Sequence, residues 1–116
     1  MSTCIILEDD PSFLVILKNY LKRIPDIEVI GTYSSTIEAA RQITKLKPDL
    51  LFLDVEIDGL SGLDVWEVLE KKPRTIVMSS NPEYVHEALA LDVVDFLVKP
   101  IHDINRVQLA VRKALK

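Results

Sequence analysis

The chain has 116 residues, 48% of them hydrophobic and 28% charged, with a formal net charge of −4 at pH 7. That length fits one domain, residues 1–116, with a real core. An acidic balance without a long run of like charges excludes a surface built for direct nucleic-acid binding or for an anionic membrane. The single Cys4 lies in an apolar run with no partner for an internal disulfide, so it reads as a small core residue in a reducing, cytoplasmic setting. No export-type leader develops before Glu8-Asp9-Asp10, and no stretch approaches membrane-spanning length.

Taken in order, Thr3 to Leu7 is an apolar strand that runs into Glu8-Asp9-Asp10. Asp10 and Pro11 then suit the cap and first position of a helix. Phe13, Leu14, Leu17, Tyr20, Leu21 and Ile24 recur at helical spacing before Pro25. Ile27 to Tyr33 reads as a second strand, and Ser35 with Glu38 has the capping-box spacing. A second helix is predicted from about Thr36 to Lys47, with Ile37, Ala40, Ile43 and Leu46 facing inward and Pro48 ending it. Leu50-Leu51-Phe52-Leu53-Asp54 is an unbroken apolar run stopping at a carboxylate, the mark of a central parallel strand buried on both faces. After it come the loop of residues 55–62, with Gly59 and Gly62, and a short helix bearing Leu63, Trp66 and Leu69. Thr75 to Met78 is a fourth strand ending in Ser79-Ser80. Asn81-Pro82-Glu83 opens a fourth helix carrying Tyr84, Val85, Ala88 and Leu89. Val93 to Val98 is a fifth strand ending in Lys99-Pro100, and the last helix starts near Asp103 with Ile104, Val107, Val111 and Leu115 on one face.

Five strands alternating with five helices imply an α/β fold, a (βα)5 doubly wound, flavodoxin-like three-layer sandwich. For a five-stranded parallel sheet of this kind the common order is 2-1-3-4-5, with the switch point between strands 1 and 3. Glu8 and Asp9, Asp54, Ser79 and Lys99 then open on one edge. Two like charges about 4 Å apart at an effective dielectric near 20 repel by roughly 4 kcal/mol. Either one carboxylate is protonated or a cation sits among them, and an all-oxygen set points to Mg2+ or a similar hard divalent ion. An acidic metal site with a lysine and a hydroxyl is equipped for phosphoryl chemistry, with Asp54 as nucleophile. The metal would be held by Asp9 and Asp54 directly and by Glu8 through water, while Lys99 pairs with one phosphoryl oxygen and Ser79 donates to another. Taken singly, Asp54 could be a turn residue, Ser79 a helix-entry hydroxyl, Lys99 a solvated strand-end charge and Asp10 only a cap. Their joint appearance at matching strand ends carries the reading. His86 and His102 read as surface or cap residues and Trp66 as packing.

These residues resemble the receiver domains of two-component response regulators over nearly the whole chain. The resemblance rests on Glu8-Asp9, on Asp54 with Gly62 eight residues on, and on Ser79, Phe96 and Lys99-Pro100. Within the family, Ile27-Glu-Val-Ile-Gly-Thr and the run from Glu83 to Ile101 look most like receivers that precede LytTR-type DNA-binding domains. The resemblance implies that Asp54 takes a phosphoryl group from a phosphohistidine of a sensor kinase or phosphotransfer protein, and that the backbone carbonyl of Glu56 joins Asp9 and Asp54 around Mg2+. It implies that the Lys99-Pro100 bond is cis, aiming the ammonium into the site. It makes Ser79 and Phe96 the switch, the hydroxyl moving toward the phosphoryl group and the ring turning inward to remodel the face of helix 4, strand 5 and helix 5, through which receivers pair or meet partners.

Two positions depart from the commonest family pattern, and two more are variable in it. Asp58 stands where proline is frequent, and Ser80 where alanine is usual. Glu56 and Asn81 flank the path of an attacking water, and Glu56 adds negative charge there. Two other readings fit less well. An aspartyl phosphatase would put its nucleophile on the first strand, and its Asp-x-Asp signature is matched only by Asp54-Val55-Glu56. A flavodoxin-like FMN domain would not put Glu8-Asp9-Asp10 where phosphate binds.

Overall fold

The computed structural model describes residues 1–57 and 60–116. In chain order the elements are β1 (Ser2–Leu7), α1 (Pro11–Lys22), β2 (Ile27–Tyr33), α2 (Thr36–Leu46), β3 (Leu50–Asp54), β4 (Glu56–Ile57), β5 (Leu60–Ser61), α3 (Gly62–Glu67), β6 (Arg74–Ser79), α4 (Tyr84–Leu89), β7 (Asp95–Val98) and α5 (Ile104–Ala114). The main sheet has the order β2-β1-β3-β6-β7, all parallel, so the expected switch point falls between β1 and β3. β4 and β5 form a separate two-stranded antiparallel ribbon, which the sequence reading took as loop.

Strand alternation sorts the core into two layers. Ile6, Phe52, Met78 and Leu97 face α1 and α5, whereas Leu7, Leu51, Val77 and Phe96 face α2, α3 and α4. All five residues of β3 are buried, as a central strand requires. Asp10 accepts from the backbone N–H groups of Ser12 and Phe13 and caps α1, with Pro11 at the first helical position. Ser35 Oγ accepts from Glu38 N–H at 3.4 Å, while the Glu38 carboxylate turns to Arg41 and Gln42 and leaves the capping box half made.

Three expectations about helices are corrected. In α2 the inward residues are Thr36, Ala39 and Ile43, whereas Ile37 is 72% exposed and Leu46 40%. Ile37 and Leu46 lie nine positions apart, which at about 100° per residue puts them on opposite sides of a helix. Leu89 in α4 is exposed, because Ala88 takes the place against the sheet. The helix also begins at Tyr84: Asn81 Oδ1 accepts from Glu83 N–H and shapes a turn first.

Candidate functional site

The expected residues meet at the C-terminal edge of the sheet, where β1 ends in Leu7 before Glu8 and β3 ends in Asp54. Glu8 and Asp54 are buried, Asp9 is exposed, and one oxygen from each of the three carboxylates lies within 4.8 Å of the others. Lys99, just after β7, reaches across to them. Its Nζ donates to Glu8 Oε1 at 2.5 Å and to Asp54 Oδ2 at 3.1 Å, and it stands 4.4 Å from the centroid of the Phe13 ring. Nothing in the sequence pattern singled out Phe13 beyond its apolar spacing on α1. The Lys99-Pro100 peptide is cis.

Burial pushes the Asp54 carboxyl up, the neighbouring Glu8 carboxyl adds to the rise and Lys99 opposes it, with the result near 7. Burial alone would lower the Lys99 ammonium, but its hydrogen bonds and charge pairing with Glu8 and Asp54 raise it above its ordinary value. The site is therefore short of positive charge: two buried carboxylates share one ammonium, with a third acid at the rim. The donors are all oxygens with no cysteine or histidine among them, which suits Mg2+ and not a softer metal.

The chain next to Asp54 is held closely. Asp54 Oδ1 accepts from Glu56 N–H at 3.2 Å, and Gly62 N–H donates to the Val55 carbonyl at 2.5 Å. A Cβ at Gly62 would collide with the Asp54 carbonyl oxygen, so glycine is needed here for close approach. The Glu56 side chain is exposed, and its carboxylate raises the phenol of Tyr84 at the start of α4 above the ordinary tyrosine range. Asp58 and Gly59 lie outside the described residues.

Ser79 ends β6 beside β3 and is buried; its Oγ accepts from Asn81 N–H at 3.0 Å. Phe96 is 7% exposed and belongs to the same buried cluster as Val77 and Ala88.

The family described as "Response regulator receiver domain" matches residues 4–112. An uncharacterized response regulatory protein of Shewanella oneidensis is 33% identical over all of this chain and half of its own length. The transcriptional regulatory protein BtsR of Escherichia coli is 32% identical over 89% of this chain and 44% of its own. The chain thus spans half or less of the length of these curated relatives. Among solved structures, the response regulator TrrA of Thermotoga maritima in complex with Mg(2+)-BeF is 25% identical with a TM-score of 0.84, covering 98% of this chain and 99% of that one. The response regulator domain of Thermotoga maritima CheB is 27% identical with a TM-score of 0.77, covering 97% and 90%. The chain belongs to the response regulator receiver domain family, the phospho-accepting switches of two-component systems.

Proposed function

We propose that Asp54 is the residue phosphorylated, with a phosphohistidine of a sensor kinase or phosphotransfer protein as donor. The observation behind this reading is the convergence of Glu8, Asp9, Asp54 and Lys99 at one sheet edge, three carboxylates around a single shared ammonium. An Asp54 oxygen attacks phosphorus in line and the P–N bond of the phosphohistidine breaks. The imidazole leaves with the bonding pair and takes up a proton. Lys99 favours the ionised, attacking form of Asp54 and then pairs with a phosphoryl oxygen. The Ser79 hydroxyl accepts from Asn81 N–H and so keeps its own proton to donate to a second oxygen. Asp9 and Asp54 directly, Glu8 through water and the Glu56 carbonyl would hold Mg2+, which when bound supplies the charge that offsets the phosphoryl oxygens.

The reaction is confined to the chain's own aspartate: it catalyses only its own phosphorylation and dephosphorylation, and Glu56 and Asn81 flank the route of the water that reverses it. Ser79 and Phe96 report the state of Asp54 to the face of α4, β7 and α5, where Leu89, Val98 and Leu109 stand exposed. A homodimer or an output domain such as a LytTR-type DNA-binding unit would meet this face. Control of transcription fits a relative such as BtsR, itself a transcriptional regulatory protein. The setting is cytoplasmic, in keeping with the buried thiol of Cys4.

Incubation with Mg2+ and acetyl phosphate followed by intact-mass measurement tests the reading. The expected product carries one phosphoryl group, is acid-stable and base-labile, and is absent from Asp54→Asn. An unmodified wild-type chain, or an adduct that persists in Asp54→Asn, would sink it.

A further inference from the structure

β7 is an edge strand, paired with β6 on one side only. Lys99 N–H donates to the Ser79 carbonyl at 2.8 Å, and the two-residue period of a strand carries that inward direction back to Leu97 and Asp95. By the same period Val98 also looks outward, and Phe96 turns its N–H and C=O over the open edge. Both are taken: the N–H donates to Asp95 Oδ1 at 2.8 Å and the C=O accepts from Arg106 Nη2 at 2.9 Å. The same guanidinium closes on the Asp95 carboxylate as a fork, Nη1 to Oδ2 at 2.8 Å and Nη2 to Oδ1 at 2.9 Å, while Lys113 stands 3.4 Å from Oδ2. Burial alone would raise the Asp95 carboxyl, but the Arg106 hydrogen bonds, the Phe96 N–H and the nearby charges hold it below the usual range.

Arg106 of α5 and the Asp95 carboxylate together therefore do for Phe96 what a further strand would do. Besides Arg106 and the longer contact of Lys113 with the same carboxylate, α5 packs on the sheet through Val107, Ala110, Val111 and Ala114, apolar groups without direction. The fork is directional and planar, and a lysine cannot reproduce it.

We propose that Arg106, acting with Asp95, is the positioning residue of the switch: it fixes the backbone of Phe96 on the open edge and makes α5 move with it. The inference rests on the reading of Asp54 as phospho-acceptor and names the link that carries its state to α5.

The test compares wild type, Arg106→Ala, Arg106→Lys and the isosteric Asp95→Asn, each treated with acetyl phosphate and Mg2+. Intact mass reads the adduct, and backbone hydrogen exchange reads residues 95–114 with and without it. The difference between the two states is taken within each variant, so a general loss of stability cancels. Wild type is expected to take up the phosphoryl group and to change exchange across α5 by about fivefold or more. The three variants take it up to within roughly twofold of wild type, while α5 changes by less than about twofold between states. Arg106→Lys keeps the charge and loses the fork, so its failure to restore the response separates geometry from charge. A full α5 response in the variants, or none in the phosphorylated wild type, overturns the inference alone. An unphosphorylated wild type overturns the Asp54 reading and this inference with it.

Discussion

Lys99 is the one cation paired with the two buried carboxylates among the described residues, and its removal separates holding a metal from reacting. Lys99→Ala leaves Glu8, Asp9 and Asp54 in place, so Mg2+ affinity measured by calorimetry should stay within roughly tenfold of wild type. Phosphoryl uptake, which loses a donor to the developing charge, should slow on the order of 100-fold. Unchanged uptake would remove Lys99 from the chemistry. Gly62→Ala tests the support beneath Asp54: its Cβ has no room against the Asp54 carbonyl, so a urea titration should show a loss of about 1–3 kcal/mol. A change under about 0.5 kcal/mol would mean that the approach relaxes at little cost. Glu8, Asp9, Asp54 and Lys99 were legible in the sequence because each ends or follows a strand, and parallel strands end on one edge. Phe13 under Lys99, and Arg106 on Asp95, were not. Those contacts depend on how α1 and α5 are rotated about their own axes, and apolar spacing fixes that only to within a face.

The elements themselves divide in the same way. Asp10 was read as a cap from the proline after it, and Asp10→Ala should cost about 1 kcal/mol of stability through the lost hydrogen bonds to the first turn of α1. Thermal unfolding of the two proteins checks it, and equal midpoints would leave Pro11 as the main start signal. Lys47 presents the opposite case. It ends α2 with φ of 49°, in the left-handed region that glycine usually fills, and no residue type announced this. Lys47→Gly should therefore stabilise the chain by about 0.5–1 kcal/mol, since strain of roughly 1–2 kcal/mol is relieved and roughly half of it is offset by the conformational entropy that glycine loses. A loss of stability would show that the lysine makes contacts outweighing the strain. The faces of α2 escaped sequence reading because Ile37, Ala40, Ile43 and Leu46 repeat every three residues, a spacing that winds around the helix. The face against the sheet is set by the small residues Thr36 and Ala39, and apolarity alone does not rank those above an isoleucine.

At the scale of the whole molecule, order and topology were legible because strand and helix periods alternate without interruption and parallel strands demand crossovers. The β4–β5 ribbon was not, as two-residue strands are too short for any period. The same topology that gathers the acids makes the site a burden on the fold, and pH exposes it. An unfolded aspartate titrates near about 3.9, whereas Asp54 in the folded chain is pushed up to about 7. Between those values the folded state holds a proton that the unfolded state has released, so stability falls as pH rises through this window. The Asp95 carboxyl, held below its ordinary value, has the opposite sign, but its contribution is complete above pH of about 4 and cannot mask the trend. Metal-free wild type should thus be less stable at pH 8 than at pH 5 by about 1–3 kcal/mol, a figure discounted for solvent at the mouth of the site. Asp54→Asn carries no such charge and should be nearly level across the window, exceeding wild type at pH 8 by a similar amount. Saturating Mg2+ should restore the wild type at pH 8, because a ligand of the folded state adds RT ln(1 + [L]/Kd), and should leave Asp54→Asn almost unmoved. Urea midpoints at the two pH values, with and without metal, decide it. A wild type whose stability rises with pH, or an asparagine variant that Mg2+ stabilises equally, would show that Asp54 is not the group that trades folding stability for reactivity.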